Sequence, residues 1–489
     1  MKARTTIAGI LAGLLLAVAA HAGYPEGQAV TFSDFSRTRS IAVTVVRVYF
    51  ATAQGIICYN QGEDRWEEPL PAIPGVDPED ISRIWADQFG RTLYAATPDG
   101  RYVYDQTLAM WFLTSETPEG DGAAREVPPP AIMHAPPGFN YFAGGQLIDP
   151  YGRTWQINEM VDDGSGMYWM AIWGYGPAKA RTTNLIIDLL PFGLVQRRVN
   201  ALDQEGGRLW VSGAVYDDLR TGITGFEPAM MTFRHLESGV RPEFPADDIN
   251  CLRSDSAHLY IGTARGLLVM DLESEMIIRT VGERQGLAGE NVLSIAVTGD
   301  SVFIGTDEGL NLVIGASDSA ALILPTTFEG QYIWDIEEVG DYVWVAAESG
   351  AYRLTKGAER LQRYRDPENV LFSHVYDIER WADKLWFVSD GGLAELDLQT
   401  AESRSFHDMT QQLLPRALAV NETIAAVASD KGLTILFHTA DKPFKRDFTV
   451  DDGLASNNVY ALAVDGDYLW VGTDRGLTRF LWNNPDRVD

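Results

Sequence analysis

Two aspartates stand at matching positions of the sequence and could work together chemically. Asp335 and Asp377 each lie two residues after an apolar residue of a short apolar run, where related runs carry Ser294 or Ala461. Arg83 takes the corresponding place in an earlier run. If these positions face a common axis, their side chains form a mixed-charge axial channel, and paired carboxylates there can act as acid and base. The favoured interpretation is plainer: each carboxylate hydrogen-bonds a neighbouring strand.

A second group of candidates lies in segments that interrupt an otherwise regular pattern. The Pro- and Gly-rich stretch 114–151, the turn 173–177 and the segment 213–225 are longer or more aromatic than their counterparts. Binding residues are often found on loops held by a rigid scaffold, and aromatic faces with acids suit a sugar or the centre of a protein interface. The alternative is that these loops only pack on one another. The predicted ligand- or partner-binding residues are Trp173, Tyr175, Tyr216, Asp217, Asp218 and Arg220.

The sequence contains no familiar catalytic or metal-binding motif. Gly-x-Ser-x-Gly, His-Glu-x-x-His and Cys-x-x-Cys are all missing, and the chain has only seven histidines. We therefore expect no metal site, no cofactor and no enzymatic activity, and predict a protein that binds a ligand or a partner. Two alternatives stay open: a lyase or hydrolase that acts on a polysaccharide with acids at the axis, and a structural subunit of an envelope assembly.

The elements that position these residues are repeats. A turn glycine recurs about every 40 residues, which with strand-type patterning is typical of blades of four strands around an axis. In the last copy an apolar run, 459–464, is followed by a polar turn, the aromatic run 468–473 and a second turn that ends at Gly476. The aligned glycines are Gly266, Gly309, Gly350, Gly392, Gly432 and Gly476, with fainter copies at Gly55, Gly100, Gly174 and Gly213.

These copies resemble the two-component-regulator propeller family, whose pattern is Gly-Leu-x-x-Asn-x-Val followed by Leu-Trp-Ile-Gly-Thr-x-x-Gly-Leu. The resemblance is most specific at 453–477 and is also present at 248–267 and 286–310. It implies a β-propeller, and in that family the propellers usually form the periplasmic sensor of a membrane-bound kinase. This chain shows no transmembrane or kinase segment after its repeats, so a sensor role is expected only as a separate periplasmic part.

The predicted fold class is all-β, with a single β-propeller of roughly ten four-stranded blades over residues 23–489. The last copy lacks a fourth strand, and 29–35 near the N-terminus has the pattern of the missing one. Pairing the two chain ends would remove the exposed edges of an open sheet. The alternative is a smaller ring of seven or eight blades with extra units outside it.

Charge and the N-terminus indicate the compartment. A basic start, an apolar run from Ile7 to Ala20 and a small-residue site before Gly23 predict a signal peptide over 1–22 and a periplasmic or secreted protein. The net charge of −29 argues against nucleic acid and anionic lipid as partners; we expect a protein or carbohydrate partner and no membrane insertion after signal cleavage. Cys58 and Cys251 fall in distant repeats, beyond disulfide reach, so two free thiols are predicted.

Overall fold

The computed structural model describes residues 29–87, 89–116, 124–215, 219–299, 301–314, 322–323, 326–356, 360–372, 374–410, 413–439 and 442–483. The predicted signal peptide therefore lies outside the described residues. The first sixteen strands are β1 (Ala29–Phe32), β2 (Thr38–Val43), β3 (Arg47–Thr52), β4 (Gly55–Asn60), β5 (Arg65–Trp66), β6 (Arg83–Ala86), β7 (Leu93–Thr97), β8 (Gly100–Asp105), β9 (Met110–Thr114), β10 (Arg125–Glu126), β11 (Asn140–Phe142), β12 (Gln146–Ile148), β13 (Thr154–Asp162), β14 (Met167–Trp173), β15 (Gly176–Arg181) and β16 (Ile187–Leu189).

The remaining strands follow the repeat closely. They are β17 (Ala201–Glu205), β18 (Arg208–Ser212), β19 (Gly222–Glu227), β20 (Thr232–Glu237), β21 (Ile249–Ser254), β22 (His258–Thr263), β23 (Gly266–Asp271), β24 (Met276–Val281), β25 (Val292–Thr298), β26 (Ser301–Thr306), β27 (Gly309–Ile314), β28 (Leu322–Ile323), β29 (Ile333–Val339), β30 (Tyr342–Ala347), β31 (Gly350–Thr355), β32 (Leu361–Arg363), β33 (Val375–Trp381), β34 (Lys384–Ser389), β35 (Gly392–Asp397), β36 (Ser403–Phe406), β37 (Pro415–Val420), β38 (Ile424–Ser429), β39 (Gly432–Phe437), β40 (Phe444–Phe448), β41 (Val459–Asp465), β42 (Tyr468–Thr473) and β43 (Gly476–Leu481). In the described part of the chain, five short 3-10 helices lie between strands, at Pro78–Asp80, Glu283–Gln285, Thr326–Phe328, His407–Met409 and Val450–Asp452.

Within the described residues the strands form ten antiparallel sheets, and nine of them have four strands. The all-β prediction is therefore confirmed, as is the four-stranded unit for most of the chain. Eight of the ten predicted repeat glycines lie at the start of a third strand, because the turn needs a positive φ. The prediction is wrong at Gly174 and Gly213, since the corresponding strands begin at Gly176 and Gly222. At Gly476, φ is 138° and an added Cβ would lie 2.4 Å from the carbonyl oxygen of Phe32.

One sheet departs from the four-stranded unit. β13 is nine residues long and pairs not only with β14 but also with β12 and β10 along its other edge, which gives a sheet of seven strands. The stretch 114–151, expected to be loop, thus supplies the short strands β10 to β12. Its backbone groups complete the free edge of β13, which would otherwise be open to pairing with another chain.

The sheets pack in two series rather than in one. The first strands of seven sheets pack in the order β17, β21, β25, β29, β33, β37 and β41, and β41 also packs against β17. We call these seven the inner strands. In the other three sheets, β2 lies between β6 and β14. The single ring of about ten blades is therefore wrong, because it would place β2 beside β41 and β17 beside β14.

The chain ends meet as predicted. β1 pairs antiparallel with β43, with Ala29 opposite Phe480, and so supplies the fourth strand of the last sheet. Phe32 is fully buried there, 4.8 Å from the ring of Phe226 and 6.2 Å from that of Trp470. This core continues into apolar residues of the sheet β2–β5 and of the seven-stranded sheet. The two series of sheets therefore share it.

Both cysteines are free thiols. Cys58 lies buried in β4, and Cys251 lies in β21, one of the inner strands. The two belong to different series of sheets, which is the physical reason that no bridge forms, as predicted.

Candidate functional site

A central cavity of about 300 Å³ lies between the inner strands, and every one of the seven contributes to its wall. This volume is at the lower end of the range for small-molecule sites. Strand register sorts the wall residues into layers, because equivalent positions of the seven strands lie at equal depth. The cavity is therefore a place where one side chain from each repeat meets the other six.

The first layer consists of the residue that follows the first apolar residue of each run. These residues are Asn200, Asn250, Leu293, Trp334, Tyr376, Arg416 and Tyr460. The layer thus contains three aromatic rings, two amides, one guanidinium and one aliphatic side chain. Equivalent backbone positions carry unlike side chains here. In the second strands of the sheets, by contrast, aromatic and β-branched residues recur from repeat to repeat.

Asp335 and Asp377 lie one residue deeper, at the bulge where the strand register shifts. The carboxylate of Asp335 accepts from the backbone N–H of Ile378 at 3.1 Å, and that of Asp377 accepts from the N–H of Leu418 at 2.6 Å. Each therefore ties its own strand to the next inner strand. The favoured interpretation, a hydrogen-bonded contact between neighbouring sheets, is confirmed, and both residues also line the cavity.

The deepest layer contains charged residues that the sequence interpretation missed. Glu337 and Glu379 lie on the strands of Asp335 and Asp377, two residues further on, and line the same cavity. Arg253 and Asp203 face them from β21 and β17, with 3.9 Å between Nη1 of Arg253 and Oδ1 of Asp203. The alternation of a strand would have identified these positions, since residues two apart share a face.

Desolvation dominates the electrostatics of this acid wall. Burial, with the repulsion of Asp335, raises the pKa of Glu337 to about 7. Burial, with the repulsion of Glu337 and Asp335, raises the pKa of Glu379 to about 8, against the attraction of Arg253. The pKa values of Asp335 and Asp377 are raised as well, chiefly by burial. One guanidinium thus fails to compensate the carboxylates around it.

The two inner strands that follow β33 carry small, uncharged residues. In the second and third layers, β37 carries Ala417 and Ala419 and β41 carries Ala461 and Ala463 where β29 and β33 carry acids. Ala417 and Ala461 line the cavity. Above them, Arg416 lies over the ring of Tyr460 with 4.2 Å from Cζ to the centroid. The acids of the second layer are thus confined to β29 and β33.

Arg83 is not part of this cavity. It lies on β6, in the other series of sheets, and its side chain is exposed. The nearby buried carboxyl is Glu159 on β13, whose pKa burial raises to about 7 and which Arg83 counteracts. The predicted channel of Arg83, Asp335 and Asp377 is therefore wrong in its first member. Arg83 occupies the equivalent position of its repeat, but that repeat does not belong to the seven sheets around the central cavity.

The predicted loop patch is brought together only in part, and it is packed rather than open. Tyr175 lies 5.5 Å from the ring of Phe139 and 5.8 Å from that of Trp155, and Arg220 covers it at 4.6 Å. Trp173 is half-buried at the end of β14, with Arg39 5.5 Å from its ring. Tyr216, Asp217 and Asp218 lie outside the described residues.

Arg220 itself is 7 % exposed, so the prediction that it lies on an open face is wrong. Its Nη2 lies 2.6 Å from Oε1 of Glu237, whose other oxygen lies 2.6 Å from Nη2 of Arg153. Arg153 in turn bonds Asp149. Burial opposes ionisation of Glu237, but the guanidinium of Arg220 outweighs it and lowers the pKa of Glu237. These groups form a closed network between the seven-stranded sheet and β20.

A larger cleft of about 910 Å³ separates the sheet β2–β5 from β1 and the turn at Pro228. Its wall consists mainly of backbone, prolines and apolar side chains from 66–81. Its acid Glu68 is paired with the buried Arg479 at 2.7 Å. The cleft offers space but little converging polar chemistry, so the central cavity is the better candidate site.

Comparison with known proteins supports the repeat. Residues 453–475 match the two component regulator propeller family. A search of curated protein sequences gives no significant match. In the described part of the chain, no helix has the length and hydropathy needed to span a membrane.

Solved structures with related architecture share little sequence. PorZ, a surface component of the type-IX secretion system of Porphyromonas gingivalis, is 14 % identical with a TM-score of 0.49, over 91 % of this chain and 69 % of PorZ. The extracellular domain of the hybrid two component system BT3049 from B. thetaiotaomicron is 15 % identical with a TM-score of 0.47, over 90 % of this chain and 60 % of that one.

Virginiamycin B lyase from Staphylococcus aureus is 12 % identical with a TM-score of 0.46, over 58 % of this chain and 94 % of the lyase. The family match at 453–475 confirms the resemblance that the sequence pattern predicted for that copy of the repeat.

Proposed function

We propose that this protein is a non-catalytic binding propeller of the bacterial periplasm or exterior, and that the central cavity is its ligand site. The observation that carries the proposal is the wall of that cavity: seven inner strands with one backbone pattern present five different types of first-layer side chain. A scaffold needs no such variety at its axis, whereas a small-molecule site needs a few unlike polar and aromatic groups that converge.

The proposal includes a closed ring of seven blades. β41 packs against β17, and the N–H of Val199 donates to the carbonyl of Thr473 across that junction at 2.8 Å. β1 completes the last blade. A closed ring fixes the radius of the cavity, since no edge strand is free to move. Deleting residues 23–40 should then lower the melting temperature sharply, and an unchanged melting curve would contradict closure by the N-terminal strand.

The compartment and the partner are part of the same proposal. The predicted signal peptide over 1–22 and the regulator-type repeat favour export and a sensory role. The charge of −29 argues against nucleic acid. A carbohydrate or protein partner, with no membrane insertion after signal cleavage, fits this surface, and the ligand in the cavity would be what the protein senses or presents.

An enzyme is the second candidate, and a specific observation favours it. Titratable groups with shifted pKa values converge in one cavity, which is typical of active sites, and Glu379 with a pKa raised to about 8 is protonated at neutral pH and able to act as an acid. Asp335 and Asp377, however, are engaged by backbone N–H groups. Product analysis after incubation with polysaccharides, using wild type and the variant Glu337→Gln/Glu379→Gln, separates turnover from binding.

The experiment for the binding function is a thermal-shift screen with small sugars, amines and carboxylates. Leu293 lines the cavity in the first layer and carries no charge, so Leu293→Trp should narrow the cavity and abolish the shift given by any ligand found. Leu414→Trp, at a leucine that is 59 % exposed, is the matched control and should keep the shift. Ligands that stabilise both variants equally would refute the site.

A further inference from the structure

We infer that the ligand of the central cavity is a small organic amine that also carries a hydroxyl or carbonyl oxygen. The inference rests on the proposed function and names the chemistry that this cavity selects. It draws on three features that are independent of one another: the balance of charge in the wall, the aromatic residues of the first layer, and a buried donor with no acceptor.

The wall has more acidic than basic side chains. Asp203, Asp335, Glu337, Asp377 and Glu379 line the cavity together with two arginines, Arg253 and Arg416. Arg253 is shared among Asp203 and three of the other acids, and Arg416 is placed over Tyr460 and donates to the carbonyl of Val459 at 3.2 Å. A ligand cation beside Glu337 and Glu379 would favour their charged forms, because a nearby opposite charge stabilises an ionised carboxylate.

The acid side of the first layer is aromatic. Trp334 stacks on Tyr332 with centroids 5.0 Å apart, and Tyr376 lies 5.9 Å from Trp334. Both Trp334 and Tyr376 line the cavity directly above the acids. Ring faces attract ammonium groups, most strongly where water is excluded. The remaining aromatic residue, Tyr460, already lies between Arg198 and Arg416, so the site for a cation is on the acid side.

The indole N–H of Trp334 is shielded from solvent and donates to no acceptor in the described part of the chain. A buried donor without a partner costs free energy that a ligand oxygen would recover. Trp334 lines the cavity above the acids, and a turn of its ring toward the cavity would bring this enclosed N–H to an oxygen a few bonds from the amine. This donor distinguishes an amino alcohol or amino carbonyl compound from a plain alkyl amine.

Other ligands fit less well. A metal ion needs ligands that converge on one point, and among the described residues no group of three or more acidic, histidine or cysteine side chains does so. A neutral sugar would leave the surplus of carboxylates uncompensated. An anion would meet Glu337 and Glu379 directly. Ala417 and Ala461, on the two strands that follow β33, line the cavity and leave room for a short organic chain beside the acids.

The test uses three five-carbon compounds that differ only in one terminal group: 5-amino-1-pentanol, 1,5-pentanediol and 5-hydroxypentanoate. Calorimetry should show the amine binding at least about tenfold more tightly than the diol, with no binding of the carboxylate, because one full charge pair is worth about a tenfold change or more in a desolvated site. Glu379→Gln should remove the preference. Glu338→Gln is the matched control, since Glu338 is the neighbour of Glu337 and pairs with Lys356 instead.

The pH dependence of wild type gives a readout that needs no variant. Glu337 and Glu379, with pKa values raised to about 7 and about 8, must ionise to hold the amine. The charged groups around them are Arg253, Asp203, Asp335, Asp377, Arg380 and Glu338. Affinity should therefore fall as pH is lowered from 9 to 6, by up to about tenfold per pH unit for each carboxyl involved, while the amine, with a pKa near that of lysine, stays charged.

The outcomes are distinguishable. Tighter binding of the diol or of the carboxylate, with loss in Leu293→Trp, would overturn the amine while the cavity remained the ligand site. Amine affinity that is independent of pH and unchanged in Glu379→Gln would also overturn it. Binding that persists in Leu293→Trp would overturn the site itself. Trp334→Phe keeps an aromatic ring and removes the donor, so it should weaken the binding of 5-amino-1-pentanol and leave the binding of pentylamine unchanged. Equal effects on the two affinities would overturn the part of the inference that concerns the ligand oxygen.

Discussion

Two clusters of this molecule contain the same kinds of residue and differ in how completely they are paired. In the network around Tyr175, Arg220 and Arg153 hold the two oxygens of Glu237, whose pKa is lowered. In the central cavity, Glu379 faces more acids than bases, and its pKa is raised to about 8. The same side-chain types stabilise the fold where charges are matched and leave a binding capacity where they are not.

The largest effect is expected from removing the shared carboxylate of the paired network. Glu237→Gln should lower the free energy of unfolding by about 3–5 kcal/mol, because it leaves the buried Arg220 without its charge partner, while Arg153 keeps Asp149. Glu379→Gln should cost far less, since that carboxyl has no full partner to lose. Urea denaturation measures both. Similar losses in the two variants would erase the distinction between the clusters.

Truncating the ring at the centre of the network comes next. Tyr175→Ala should cost about 2–4 kcal/mol, because the ring packs on Phe139, Trp155 and Arg220. Ligand binding in the central cavity should be unchanged once the variant is folded. A stable Tyr175→Ala protein that no longer binds would restore the loop patch as the functional site.

The effect of pH is smaller when it is counted per pH unit. In the folded state Glu337 and Glu379 have pKa values raised above the ordinary 4.5, to about 7 and about 8, so the unfolded chain loses these protons first. Stability should therefore fall as pH rises from about 4.5 to 8, by no more than about 1.4 kcal/mol per pH unit for each carboxyl. The double variant Glu337→Gln/Glu379→Gln should flatten this slope. A wild-type slope of opposite sign would contradict the acid wall.

The smallest effect concerns the thiols. Burial raises the pKa values of Cys58 and Cys251, which keeps both thiols protonated and unreactive at neutral pH. Mass spectrometry should show little alkylation of the folded protein and two labels after unfolding without reductant. Rapid labelling of folded Cys251, which lines the central cavity, would show the inner strands to be more open than this account allows.

The sequence predicted what the repeat controls. Glycine spacing and apolar runs predicted the four-stranded sheets, and the missing fourth strand after Phe480 predicted the pairing of β1. Equivalent sequence positions also predicted that Asp335 and Asp377 bond the next strand. These features depend on local pattern and on neighbours one repeat away, which is the range over which a repeat carries information.

The sequence did not predict which repeats share an axis. Arg83 has the same local pattern as Asp335 but packs in the other series of sheets. Nor did the irregular loops reveal a site, because Arg220 is paired with Glu237, whose second partner, Arg153, is 84 residues away in sequence. Charge compensation depends on such distant contacts, so the acid wall became visible only when Arg253, Glu337 and Glu379 were placed around one cavity.

The comparison is tested most directly by altering the loop patch and the central cavity in turn and measuring the affinity for one ligand. Calorimetric titration of the best compound from the thermal-shift screen should give wild-type affinity with Trp173→Ala and no measurable binding with Leu293→Trp, both variants being folded by circular dichroism. That result would place the ligand at the centre of the seven inner strands. Loss of binding in Trp173→Ala with full binding in Leu293→Trp would contradict the account and return function to the loops.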